Sequence, residues 1–202
     1  MSVYHFKFRV VFILLLIGRG LNVNAQQLKF LIPDEAIIQY AGSIGYLSAG
    51  AGYEIFGNKR GNLSFHYGYV PESKGGELHI TTIKLAYKPW EIRLKDWGKL
   101  YPFNPGFFAS YTFHKDLGVL FPKGQYPGDY YYWSEAIRPH LSFNTELEIK
   151  PPKALKNSGI RAMGVYIETN TNDFYLINYL QNTSALRIHD IFQLGIGLRV
   201  KF

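Results

Sequence analysis

The stretch IRPHLSFNTELEI, residues 137–149, constrains the fold of this chain more than any other feature. Apolar residues recur at every second position from Ile137 to Ile149, with Thr145 as the exception, and the positions between them are all polar or charged. Successive side chains of a β-strand point to opposite faces of a sheet, so the pattern predicts one strand with an apolar face and an ionic face. Strands of soluble sheets are usually about five or six residues long. A strand this long is typical of a transmembrane barrel.

The same alternation recurs along the chain, and helical spacing is nearly absent. The closing stretch, residues 192–202, sets apolar residues against Gln193, Gly195, Gly197, Arg199 and Lys201. A glycine-rich stretch, residues 42–56, has small residues on its polar face, as a narrow interior requires. The other alternating segments are LSFHYGYV (63–70), ITTIKLAYK (80–88), GFFASYTF (106–113) and RAMGVYIE (161–168).

The connections predict how these strands are arranged. The connections at 57–62 and 150–159 are short or compact and polar, the one at 71–78 is intermediate, and those at 114–136 and 169–189 are long. Counting strands back from Phe202 puts 57–62, 89–100 and 150–159 at one end and 71–78, 114–136 and 169–189 at the other. Short turns at one end and long loops at the other are the plan of outer-membrane barrels, with the short turns in the periplasm. An even strand count requires a first strand near 35–43, so we predict a closed antiparallel transmembrane β-barrel of about eight strands. Residues 174–186 have helical spacing and predict a short helix in the last long loop.

The N-terminal residues resemble a secretory signal. Lys7 and Arg9 precede the apolar run VVFILLLIG (10–18), and VNA (23–25) has the small residues of a cleavage site. We therefore expect a signal peptide over 1–25 and a barrel domain over 26–202. Without the leader the chain has 19 basic and 15 acidic residues and no basic cluster, so nucleic acid is not an expected partner. The absence of cysteine excludes disulfides and thiolate chemistry.

A barrel of eight strands is filled by side chains and leaves no open pore. Both signs of charge lie on the polar faces, which predicts internal ion pairs. The predicted inward residues are Glu54, His66, Lys84, His140, Asn144, Glu146, Glu148, Glu168, Gln193, Arg199 and Lys201. Aromatic side chains are expected in girdles where the barrel meets the membrane interfaces. The girdle candidates are Tyr130, Tyr131, Tyr132 and Trp133 at the outer end, and Trp97, Tyr101 and Phe103 at the periplasmic end.

The leader, the amphipathic last strand and the terminal phenylalanine together resemble small outer-membrane β-barrel proteins of Gram-negative bacteria. The segments YAGSIGYLSAGAGY (40–53) and FHYGYVP (65–71) are similar to segments of small uncharacterised outer-membrane proteins of Bacteroidota. The resemblance implies that the last strand is the signal read by the barrel-assembly machinery. It also implies contact with outer-membrane lipid and lipopolysaccharide, an outer-membrane location and a monomeric state. The residues that correspond to the assembly signal are Leu194, Ile196, Leu198, Val200 and Phe202.

Two alternatives stay open from the sequence. His140 and Ser142 share a strand face with Glu146, and a histidine beside a serine activates its hydroxyl in many hydrolases. Small barrel lipid A 3-O-deacylases resemble this chain in size and carry a His-x-Ser-Asn stretch, although Phe143 stands here where the asparagine would be. The second alternative is a soluble secreted β-barrel that binds a small ligand, with its apolar faces inward. No cofactor is expected, and the histidines lack the spacing of metal ligands.

Overall fold

The computed structural model describes residues 31–119, 134–155 and 157–202. Residues 33–202 form one compact unit, whose strands lie between Glu35 and Lys201. The predicted leader and the candidates Tyr130 to Trp133 lie outside the described residues. The strands are β1 (Glu35–Ala41), β2 (Leu47–Ile55), β3 (Gly61–Val70), β4 (Leu78–Tyr87), β5 (Ile92–Leu94), β6 (Gly98–Phe113), β7 (Ile137–Ile149), β8 (Ala162–Asn172) and β9 (Gln193–Lys201).

Eight of these strands close a barrel. Sequential neighbours pair antiparallel, β4 pairs directly with β6, and β9 returns to pair with β1. The short strand β5 pairs only with the start of β6 and stands outside the closed ring. We call the end where β1 begins and β9 finishes the terminal end, and the opposite end the long-loop end. The predicted closed antiparallel barrel of eight strands is confirmed, and so is the first strand that the even count requires.

The burial of the side chains shows which face of each strand points into the barrel. Polar and charged side chains are buried inside the barrel, among them Glu146, Glu168 and Arg199, which are at most 5% exposed. Large apolar side chains of the same strands, such as Ile38, Phe65 and Leu198, lie on the outer surface. This arrangement is the reverse of a soluble barrel, in which apolar side chains form the core. The prediction of polar interior faces is therefore confirmed.

An α-helix, α1 (Asp173–Gln181), lies in the connection between β8 and β9, as the sequence predicts, and a short 3-10 helix (Ile188–Ile191) follows it. The Asn172 side chain accepts a 2.8 Å hydrogen bond from the Tyr175 N–H, which satisfies one of the free donors of the first turn. Arg138 Nη1 lies 3.3 Å from the Asp173 carboxylate and ties the start of the helix to β7. None of the described helices is long and apolar enough to cross a membrane.

Three sequence predictions differ from the structure. The predicted connection over 89–100 contains a further strand, β5, which pairs with the start of β6. Tyr101 is buried inside the barrel instead of lying in an aromatic girdle, because a register shift between Tyr101 and Asn104 changes the phase of β6. Phe103 and Trp97 are exposed, and their place in an aromatic girdle stays a prediction. Gln193 is exposed, because it lies at the first position of β9, at the long-loop end.

Inward-facing glycines make room for the large interior side chains, as the sequence predicts for the narrow interior. A Cβ built at Gly197 would lie 2.2 Å from the ring of Tyr166, and one at Gly52 would lie 2.4 Å from the Glu35 carboxylate. Neither contact is possible between real atoms. These glycines therefore set the space that Tyr166 and Glu35 occupy.

We expect Gly197→Ala to lower the free energy of unfolding by about 1–3 kcal/mol, because the methyl group displaces the buried Tyr166 ring. Gly57→Ala is the matched control, since a Cβ there meets nothing within 4 Å. Urea unfolding of both variants, followed by tryptophan fluorescence, measures the difference. Equal midpoints for the two variants would contradict the steric argument.

Candidate functional site

The barrel interior is the candidate site, and Arg199 lies at its centre. The Arg199 guanidinium is 3.2 Å from the Glu35 carboxylate and 3.7 Å from Glu146. It also lies over the Tyr166 ring, 5.5 Å from the centroid. Because Glu35 lies on β1, Glu146 on β7 and Arg199 on β9, this one residue connects side chains from three strands inside the barrel.

The other buried cations are paired as well. Lys84 on β4 forms an ion pair with Glu168 on β8. Lys88 Nζ lies 2.8 Å from Glu146, which therefore forms ion pairs with two cations, Lys88 and Arg199. A buried charge without a partner costs several kcal/mol, so these pairs are a condition for a charged interior to fold.

Neutral groups complete the interior. The Tyr166 hydroxyl donates to Gln39 Oε1 at 2.8 Å, and Asn104 Nδ2 donates to Asn144 Oδ1 at 2.8 Å. At the long-loop end the β1–β2 turn brings Ile44, which is fully buried, against Gly68 on β3. A Cβ at Gly68 would overlap the Ile44 carbonyl oxygen, so only glycine permits this approach. Side chains thus occupy the middle of the barrel, and Ile44 packs inside its long-loop end.

The three catalytic candidates lie inside the barrel but do not form a catalytic group. His140 Nε2 shares a 2.9 Å hydrogen bond with Ser110 Oγ, not with Ser142. Its ring stacks on Phe108, with 4.2 Å between the centroids and 9° between the planes. The Ser142 hydroxyl has no hydrogen-bond partner among the described residues, and Glu146 contacts Lys88 and Arg199. Since a serine nucleophile needs its base within hydrogen-bond reach, the geometry gives no support to a His140–Ser142 esterase.

We expect Ser110→Ala to lower the free energy of unfolding by about 1 kcal/mol, because it leaves the His140 ring without its partner. Ser142→Ala is the matched variant on the neighbouring strand and should unfold like the unmodified protein. Urea unfolding measures both, and mass spectrometry of extracted lipid A tests the esterase alternative with the same Ser142→Ala cells. A gain of one acyl chain in those cells, relative to cells with the unmodified protein, would contradict this interpretation.

The described residues contain no group of three or more histidine, aspartate or glutamate side chains placed to hold a metal ion. His66 is in the interior, where its Nε2 lies 2.9 Å from Ser64 Oγ. His79 is on the outer wall, where its Nδ1 lies 2.6 Å from the Tyr67 hydroxyl. Each of the two rings therefore has a local partner.

The residues of the predicted assembly signal lie along one face of β9. Leu194, Ile196 and Leu198 are about half exposed on the outer wall, and Val200 continues the same row. Phe202 follows the strand, and its N–H donates to the Asp34 carbonyl at 2.8 Å. The strand closes the barrel by pairing with β1 and β8.

The sequence interpretation missed several interior residues. Glu35 was not among the predicted inward residues, although alternation along β1 places it inside with Ile37 and Gln39. Arg161, just before β8, is exposed and was also missed, because alternation along residues 161–168 places it on the same face as the outward residues Val165 and Ile167. Its guanidinium lies 3.4 Å from Glu54 and 3.8 Å from Asp34.

No family model, curated protein or solved structure matches this chain. Its function is therefore inferred from the fold and from the geometry of the interior.

Proposed function

We propose that this protein is an integral β-barrel of the Gram-negative outer membrane, with a structural or envelope-related role and no open pore. The observation that carries the proposal is the reversed distribution of polarity: charges fill the interior and large apolar side chains cover the outer wall. Soluble monomers rarely expose continuous apolar patches larger than a few hundred Å². A wall of this kind is stable where lipid, rather than water, surrounds it.

The backbone supports the same proposal. Every backbone polar group of a segment in lipid must find its partner within the protein, and a closed barrel does this without leaving an edge strand. The β1–β9 and β4–β6 pairings leave no free edge among the eight barrel strands. The surrounding partners would be outer-membrane lipid and lipopolysaccharide, and the outward row of β9 would be read by the barrel-assembly machinery. A single chain closes the barrel without a free edge strand, so we propose that the protein is a monomer.

The paired interior supports a closed barrel rather than a channel. Arg199 pairs with Glu35 and Glu146 inside the barrel, and Ile44 is fully buried at the long-loop end. An ion passing through the interior would have to separate these pairs. We therefore expect no conductance above background when the purified protein is added to planar bilayers.

Cell fractionation tests the location directly. We expect the protein in urea-washed outer membranes, and we expect an unheated sample to migrate differently from a boiled one in a denaturing gel. A chain without residues 193–201 is the control, because β1 and β8 then have free edges and the barrel cannot close. Recovery of the complete protein in the soluble periplasm would overturn the proposal.

A further inference from the structure

A cavity of about 320 Å³ opens at the terminal end of the barrel. It is surrounded by the β2–β3 turn, the ends of β4, β7 and β9, and the starts of β6 and β8. Charged side chains dominate its lining, and cations outnumber carboxylates six to three. The cations are Lys59, Arg60, Lys88, Lys99, Arg161 and Lys201.

The three carboxylates of the lining are already neutralised. Glu54 lies 3.0 Å from Lys201 Nζ and 3.4 Å from Arg161, and Glu148 lies 2.7 Å from Lys201. Glu91 lies 3.3 Å from Lys99 Nζ. Burial would raise the pKa of Glu91, but hydrogen bonds and the charges of Lys99 and Arg93 outweigh it and lower the pKa. Each of the three carboxylates therefore has its own cation and does not cancel the remaining positive charges.

Two cations on the β2–β3 turn supply the positive charge that the carboxylates do not neutralise. Arg60 donates to the Pro89 carbonyl at 2.8 Å, and no carboxylate of the described residues lies within 4.0 Å of its guanidinium. Lys59 is 66% exposed, and its Nζ reaches Glu54 only at 3.8 Å. Deeper in the cavity, Lys88 lies over the Tyr101 ring at 4.4 Å and pairs with Glu146. The excess positive charge of the cavity is therefore concentrated at its opening, near Lys59 and Arg60.

We propose that this cavity binds a compact, soluble anion that carries phosphate groups and at least two negative charges. A concave surface with an excess of one sign of charge concentrates the electric field and draws in ligands of the opposite sign. The planar guanidinium of Arg60 suits two phosphate oxygens at once, while the lysines add point charges. The cavity opens along the barrel axis and not on the apolar wall, so the ligand enters from water. This inference does not depend on the membrane location.

The test uses the purified, folded protein and pyrophosphate as the probe, measured by isothermal titration calorimetry. We expect Arg60→Gln and Lys59→Gln together to weaken pyrophosphate binding at least about tenfold, because they remove the unused charges. Lys74→Gln is the control at the long-loop end and should leave the affinity unchanged. Circular dichroism should show the same fold for the unmodified protein, the double variant and Lys74→Gln. The side-chain hydrogen bond that Arg60 makes is to the Pro89 carbonyl, and Lys59 is mainly exposed to solvent.

Three results would overturn the inference. The first is that pyrophosphate does not bind the unmodified protein, and the second is that Lys74→Gln weakens binding as strongly as the double variant. In the third, short-chain phosphatidic acid in the detergent micelle displaces pyrophosphate, which assigns the site to a lipid headgroup instead of a soluble anion. Each measurement is made on folded protein in detergent, so it is informative whether or not the barrel proves to reside in the outer membrane.

Discussion

Replacing Leu198 with arginine is expected to destabilise the membrane-inserted barrel by about 2–4 kcal/mol, since it puts a charge into the hydrocarbon near mid-depth. Leu198 is 55% exposed on the outer wall and pairs with Ile38 at the centre of β1. In a soluble protein, an arginine at such an exposed position would change stability by no more than about 0.5 kcal/mol. Urea unfolding of Leu198→Arg in lipid vesicles measures the cost.

Val200→Arg is the matched control for depth. Val200 lies on the same outward row, two residues nearer the terminal end, and pairs with Ala36 at the start of β1. The cost of an outward arginine falls to about 0–1 kcal/mol near the interface. A cost at Leu198 no greater than at Val200 would contradict the membrane proposal.

Replacing Arg199 with methionine is expected to cost about 3–5 kcal/mol, because it leaves buried carboxylates without their central cation. Glu35 loses its only ion-pair partner among the described residues, and Glu146 keeps Lys88 alone. The loss should appear as a lower urea midpoint and as a lower temperature at which the folded gel band disappears.

Arg93→Met is the matched control for the interior ion pairs. Arg93 pairs with Glu91 at 3.3 Å, but its side chain is 84% exposed. An exposed pair of this kind contributes about 0–1 kcal/mol.

Adding Glu35→Gln to Arg199→Met should recover part of the lost stability, because it removes the buried charge that has no partner. If Arg199→Met were as mild as Arg93→Met, the interior network would not hold the barrel together.

The strand order of the barrel followed from local patterns. Thirteen alternating residues in β7, alternation in the other strands, and the spacing of the connections gave the number of strands, their directions and the helix before β9. Such patterns are local because side-chain direction in a strand depends only on position along the chain. Where a bulge shifted that phase, in β6, the prediction for Tyr101 was wrong.

Local sequence patterns could not predict contacts between residues that are far apart in the sequence. His140 and Ser142 are neighbours on one face of β7, yet the partner of His140 is Ser110 from the adjacent strand β6. The terminal-end cavity likewise collects Arg60, Lys99 and Arg161 from separate turns and strand starts. Strand register and closure bring these residues together, and alternation within one segment contains no information about either.

The amino-acid sequence by itself determined that each strand has one apolar and one polar face, because backbone geometry forces side chains to alternate. Alternation alone did not establish which face is inside, since turning every strand over preserves it; the prediction of polar interior faces rested on strand length and the aromatic strand ends. Only the tertiary structure decided this: the closed ring places the ionic faces where Arg199 meets Glu35 and Glu146, and inward glycines at Gly52 and Gly197 leave room for the side chains between them. Charges fit inside this barrel because each one finds a partner on another strand.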